Sequence, residues 1–438
     1  MSEKIKAAVE SVRKRHKERD GIVTGMFLSV VSGRNMVFVG PEGTGKEELA
    51  SDVCGAVDGK KAGQYIISAS TSKSELTSKI TNDTAALVLD DTFKANSETM
   101  NAVADMMSAN VTIFGSSPDV PSESDEAYSL YDLFLFRAFI EPMRSDASFL
   151  SAVSGKEKKV AVSKFTSADI ESVRKAAENI SVDDDVLEAI LSLRDLFKDA
   201  GKYVSDARWK DSVYAMKVAA AAAGEKSVSV SFLPLLQHTL WDWPEEIDEI
   251  RAAVFSVCTP GSLEMNSLYA ESEELLRLSV ESKGAVDESA GFPRIIHCYD
   301  CNSSFPTLKR LKEHSMSRPR HTYADPHIAS DSGSQDYVKY SYEGLVTLLS
   351  SKYNWDIFRK SEASEKEQFL KEAKALRETK KGIESNYDSD RKKLMKGLEK
   401  NFWLTDQDKK DILTVFDLRS AEIVEIGNLI DDVEFILE

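Results

Sequence analysis

Gly40-Pro41-Glu42-Gly43-Thr44-Gly45-Lys46 follows directly on the apolar run Met36-Val37-Phe38-Val39. A strand, a glycine-rich turn and a Gly-Lys pair are the parts of a phosphate cradle, in which backbone N–H groups and one ammonium converge on nucleotide phosphates at a helix N-terminus. The next position of such a loop carries a Ser or Thr hydroxyl that holds Mg²⁺. Here it is Glu47. A carboxylate facing phosphates costs about 4 kcal/mol for unit charges roughly 4 Å apart at an effective dielectric of about 20, unless Mg²⁺ bridges them. Further on, Leu87-Val88-Leu89 runs into Asp90-Asp91, and the end of such a strand is where a nucleotide-binding sheet places its magnesium-orienting and water-activating acids. Together the two motifs imply ATP or ADP as ligand, with Mg²⁺ left in question by Glu47. The competing reading of 87–91 is a buried strand that ends in two solvated aspartates.

A second constellation is Cys298-x2-Cys301-x12-His314-x6-His321, with Phe305 and Leu311 where a small ββα zinc finger places its two core residues. Two thiolates and two imidazoles suit a closed tetrahedral structural Zn²⁺ site. The usual second-histidine spacing is about three to five residues, so the wider interval here leaves His297 and His327 as alternative ligands and an ordinary polar loop as the alternative structure. DNA binding is one use of a finger, with Arg310, Arg318 and Arg320 as local charge. Metal stapling of a module with too little core is another. Cys54 and Cys258, lone thiols in apolar contexts, read as core.

The elements that must position these groups follow from periodicity. Residues 1–32 read as one helix ending at Gly33, with Ile22, Val23, Met26, Phe27, Val30 and Val31 on its apolar face. Strands expected at 36–40, 65–68, 86–90, 111–116 and 135–140 alternate with helical patterns, which implies a parallel sheet covered on both faces. Residues 160–255 lack strand signals and carry helical ones at 186–197, 209–223 and 232–243. Residues 285–340 are rich in Ser, His, Pro and Asp. Beyond 341 the chain is helical, with Phe369, Leu376 and Ile383 one heptad apart. A last segment is capped by Thr405 with Asp406 and Asp408. The fold class is therefore α/β: a P-loop domain at 1–150, a helical lid at 151–255, a connecting helix at 256–285, a small loop-rich module at 286–340 and a C-terminal helical bundle at 341–438.

The 438 residues carry a net charge of −17, which argues against broad adhesion to nucleic acid or anionic membrane and favours stapling or protein docking for the finger. No apolar run reaches the ~18 residues of a membrane span, so no membrane insertion is expected. With a charged N-terminus and only 4 cysteines, a cytoplasmic protein with reduced thiols is expected.

Four further stretches narrow the family: Asp90-Asp91-Thr92-Phe93-Lys94-Ala95-Asn96, Ser129-Leu130-Tyr131-Asp132-Leu133-Phe134-Leu135-Phe136-Arg137, Tyr203-Val204-Ser205-Asp206-Ala207-Arg208-Trp209-Lys210 and Leu236-Gln237-His238-Thr239-Leu240-Trp241. In this order they resemble the MoxR family of AAA+ ATPases, specifically its RavA subfamily, from about residue 15 to 275. The resemblance implies a hexameric ring with ATP between subunits, formed with itself or an AAA+ paralogue. It also implies chaperone-like assembly work, often beside a von Willebrand factor A-domain partner. Several departures fall on the chemistry. Glu47 replaces the magnesium hydroxyl, and Asp91 stands one methylene short of the family's catalytic Glu. Ser117 or Pro118 falls where the sensor Asn belongs. Leu133 replaces the Arg that reaches a neighbour's ATP, and Ala207 replaces the lid-sensing Arg, with Arg208 adjacent as a substitute. Together they imply lost or much weakened hydrolysis. The active alternative is a remodelling chaperone in which Glu47, Asp91 and Arg208 act as replacements.

Overall fold

The computed structural model describes residues 2–109, 111–154, 160–259, 261–282, 291–327, 338–353, 355 and 363–437. The expected boundary at 285–286 lies outside them. Two compact units emerge, one of residues 1–263 with 387–419, the other of 264–386 with 420–438. The division runs through the C-terminal helices rather than in front of them.

The first unit is built on strands β1 (Met36–Val39), β2 (Lys61–Ile66), β3 (Thr84–Asp90), β4 (Ile113–Ser117) and β5 (Phe136–Phe139), in the order β2-β3-β4-β1-β5. Every pairing is parallel. Strand alternation divides the apolar runs between two cores. Met36, Phe38, Val88 and Phe114 face one, while Val37, Val39, Leu87, Leu89 and Ile113 face the other. β2 begins earlier than its apolar residues suggest, through Lys61, Gly63 and Gln64, because an edge strand tolerates polar side chains.

The expected single helix over 1–32 is two, Ser2–Arg15 and Asp20–Ser32. Glu18, at φ 59°, breaks it, and its carboxylate accepts from the backbone N–H groups of Arg144 (2.8 Å) and Ser145 (3.1 Å). Gly33 closes the second helix in the left-handed region, as expected.

The lid contains the helices Ser167–Ala177, Asp184–Asp199, Asp206–Ala223 and Ile247–Val257. Two short strands, Ser181–Val182 and Ser227–Val228, pair in parallel where no strand is expected. The segment expected as a helix over 232–243 is 3₁₀ over Val230–His238. Pro234, inside it, lacks the N–H that an α-helix needs, yet Phe232, Leu233, Leu235 and Leu236 stay buried.

At the C-terminus, Ala363–Lys400 and Asp406–Leu437 are long helices. Thr405 and Asp408 cap the second reciprocally, each side chain accepting from the other's N–H at 3.0 Å. The turn between the helices belongs to the first unit's core, where Trp403 is fully buried. Its indole donates to Ala219 O at 3.0 Å, and its carbonyl accepts from Arg13 at 2.6 Å and from the Thr24 hydroxyl at 2.8 Å.

In the second unit, 286–340 is more regular than its composition implies. Gly291–His297 and Ser304–Thr307 form an antiparallel hairpin that leads into the helix Leu308–Ser317. Their core includes Phe305, Leu311 and Tyr323 together with Leu345 and Leu349 of the helix Tyr342–Ser351.

Candidate nucleotide site and metal centre

β1 delivers the chain to Gly40, whose φ of 139° and close approach to β5 admit no side chain. A Cβ there would lie 2.2 Å from Ile140 O. The Gly40 N–H donates to Ser117 O at 3.0 Å, fixing the loop to β4. Gly43 and Gly45 are left-handed, at φ 75° and 81°, and nothing lies within 4 Å of either position where a Cβ would stand. Gly45 caps the helix Lys46–Gly55, so the loop opens its backbone at a helix N-terminus, the arrangement that receives phosphate. The Lys46 ammonium donates to Gly40 O at 2.7 Å. Burial holds its pKa below the usual lysine value, opposed by Asp90, Glu42 and Asp91. Pro41, Glu42, Gly43 and Gly45 are exposed, and the Thr44 hydroxyl turns back to Pro41 O at 3.0 Å. Glu47 is exposed in the first helical turn beside Glu48. These residues fit a nucleotide's phosphates. At the metal-holding position they offer a carboxylate, not a hydroxyl.

The structure brings the second motif against the first. Asp90 ends β3 and accepts from the Ser116 hydroxyl on β4, while the Ser116 N–H donates to Thr92 Oγ1 at 3.0 Å. On β4 it is Ser116 whose hydroxyl meets Asp90. Ser117 is spent on Asp119 O, 2.7 Å away. Strand register decides which β4 residue faces Asp90. Asp91 adopts φ 55° and pairs with the Lys94 ammonium at 2.9 Å. A cavity of about 500 Å³ opens beside it, walled also by Phe93, Ser117, Asp119 and Glu126. A larger one of about 780 Å³, around Arg13, His238, Arg251 and Asp408, has no residue of 40–47 in its walls.

Comparison with known proteins agrees with this geometry. Residues 3–107 match the MoxR domain of the MoxR-vWA-beta-propeller ternary systems, and residues 185–254 match the AAA lid domain. These two matches support a MoxR-family AAA+ ATPase. Two uncharacterized proteins of Methanocaldococcus jannaschii are similar to it. One is 27% identical over 59% of this chain and 76% of its own length, the other 23% over 58% and 74%. The crystal structure of a candidate ATPase from Cytophaga hutchinsonii aligns at 12% identity and a TM-score of 0.47, covering 58% of this chain and 93% of that one.

The lid is tied to the corner that carries Leu133. Arg208 is buried and donates to Asp132 Oδ1 (2.6 Å), Asp132 O (2.8 Å) and Thr239 O (3.1 Å). Arg137, fully buried, reaches Trp241 O at 2.5 Å and the Asp242 carboxylate. Desolvation lowers the Arg208 pKa, and the neighbouring Arg137 lowers it further. Every bond of the Arg208 guanidinium goes to this corner and to Thr239. Leu133 itself is 50% exposed.

The finger residues also converge. Ligand atoms of Cys298, Cys301, His314 and His321 all lie within 4.8 Å of one another. Cys298 Sγ is 3.4 Å from His321 Nδ1, and Cys301 Sγ is 3.2 Å from His314 Nε2. Edges of about 3.5 Å are what a tetrahedral zinc site requires. His314 keeps its ring oriented through Nδ1, 3.0 Å from the Tyr323 hydroxyl, the outer partner that metal-ligating imidazoles normally have. Hydrogen bonds with Ser303 pull the Cys301 thiol down to about 6. Burial pushes Tyr323 up to about 12. Of the alternatives, His297 pairs with Ser304 Oγ at 3.0 Å and His327 stacks on Tyr353, so neither joins the cluster.

Proposed function

We propose that this MoxR protein is a RavA-like ring subunit that binds ATP or ADP and serves as a scaffold or chaperone-like assembly factor, with hydrolysis weakened or lost. The observation that carries the reading is a preserved cradle beside a compromised acid. Gly43, Gly45 and Lys46 keep an open phosphate site, whereas Asp91 is short, left-handed and paired with Lys94. A misplacement of roughly 1 Å in a catalytic group costs about a hundredfold in rate. Half-exposed Leu133 supports subunit packing on a face that no longer supplies a cation to a neighbour. A von Willebrand factor A-domain partner is supported by the systems for which the matched domain is described. The Cys298, Cys301, His314 and His321 cluster would hold a structural Zn²⁺.

The test is calorimetry with ATP and ADP beside a steady-state ATPase assay. Micromolar binding that collapses in Lys46→Ala, with turnover near background, is expected. Absence of binding by the wild type would overturn the reading. Brisk turnover lost in Asp91→Asn would instead establish an active remodeller, a reading to which the Ser116–Asp90 contact lends specific support. Mass photometry of the full chain with and without ATP tests ring formation. A monomer at micromolar concentration would leave only a ring built with other subunits.

A further inference from the structure

The exposed face of the finger helix is locally basic. Residues 291–327 hold twice as many Lys and Arg as Asp and Glu, in a protein of net charge −17. Lys309, Arg310, Arg318 and Arg320 are all exposed, and none has an acidic partner among the described residues. At physiological ionic strength charge is screened over about 8 Å, so acidic surface farther away does not cancel this patch.

The helix is also set as a reading helix is set. It starts at Leu308 behind the Thr307 cap and buries Leu308 and Leu311. Its third and sixth residues are Arg310 and Glu313, and the residue before it is Thr307. Those are the three positions from which a ββα finger contacts successive bases in the major groove. They recur every three residues, on the side of the helix away from Leu308 and Leu311. Arg matches the O6 and N7 acceptors of guanine, and Glu accepts from the cytosine amino group. Just past the helix, Arg318 and Arg320 are exposed cations of the kind that contact phosphate.

We propose that this module binds double-stranded DNA. The helix Leu308–Ser317 enters the major groove with Arg310 and Glu313 at base edges, and Arg318 and Arg320 neutralise backbone phosphates. The proposal rests on the metal centre holding the module together, so zinc content is measured in every preparation.

Fluorescence anisotropy of the full-length, zinc-loaded protein with a 30-base-pair duplex at 50–200 mM salt reads the interaction. Binding should weaken as salt rises, and Arg318→Ala with Arg320→Ala should lower the log–log salt slope by about 2. Arg310→Ala should cost about tenfold or more on a preferred sequence and little on others. The proposal is overturned if zinc-loaded wild type does not retain duplex at 50 mM salt, or if the triple Arg→Ala variant binds as the wild type does while keeping its zinc. Retention of an acidic polypeptide, and not duplex, would overturn it in favour of protein docking.

Discussion

Replacing Arg208 by Met removes a guanidinium that the structure commits to fastening the lid, while keeping most of the apolar stem. Its short bonds go to Asp132 Oδ1, Asp132 O and Thr239 O, at 2.6, 2.8 and 3.1 Å, and a long one to Phe134 O at 3.4 Å. The Asp132 side chain is 53% exposed, so its carboxylate would rehydrate at small cost. The lasting loss is the two short carbonyl bonds, about 1–1.5 kcal/mol each, with a smaller part from the long bond to Phe134 O and from the charged pair. Relief of burying a guanidinium beside Arg137 offsets some of this. The balance is about 2–3 kcal/mol, or about 5 °C at roughly 2 °C per kcal/mol for a large domain. Differential scanning fluorimetry should show that fall, and calorimetry should show ATP affinity within about twofold of wild type. A melting temperature shifted by less than about 1 °C with affinity down tenfold would refute the reasoning and restore Arg208 as a lid sensor.

Trp403→Ala should cost about 3–5 kcal/mol, read by urea denaturation, because a fully buried indole leaves a cavity in the first unit's core. A loss under about 1.5 kcal/mol would mean that the turn is not part of that core. Burial pushes the His238 imidazole down to about 4, with Arg13 and Arg251 adding to the effect and Asp408 opposing it. The unfolded chain, titrating near 6.5, then binds the proton first. Stability should fall by about 2 kcal/mol as pH drops from about 6.5 to about 4, stay level above that window, and lose the slope in His238→Gln. Zinc should be present near one equivalent and be lost in Cys301→Ser with His314→Ala. Retention in that variant would move the metal elsewhere.

Sequence made the sheet legible because buried parallel strands are continuous apolar runs, and Met36–Val39 and Leu87–Leu89 admit few other readings. The metal cluster was legible for a related reason: Phe305 and Leu311 keep the spacing that a hairpin and helix need to close a small core. What stayed hidden depends on partners far along the chain. Between Ser2 and Ser32 the Asp20-Gly21 pair is a weak sign of a break. Glu18 leaves the helix because the N–H groups of Arg144 and Ser145 need an acceptor. Pro234 is visible, but that the segment would remain packed as 3₁₀ depends on the apolar side chains around it.

The corner around Asp91 and Arg208 shows the same limit more sharply. Sequence reveals that Asp91 is a methylene short, but not that its backbone is left-handed or that Lys94 occupies its carboxylate. It reveals Arg208 beside Ala207, but not that Asp132 and Thr239 claim the guanidinium. In both cases residue type sets what a group can do, and a competing partner decides whether it is free to do it. The phosphate cradle escapes this ambiguity because it is made of backbone. Gly43 and Gly45 offer N–H groups through conformations that few other residues adopt, and no distant side chain can redirect those groups. Nucleotide binding can therefore be inferred from this chain more firmly than nucleotide turnover.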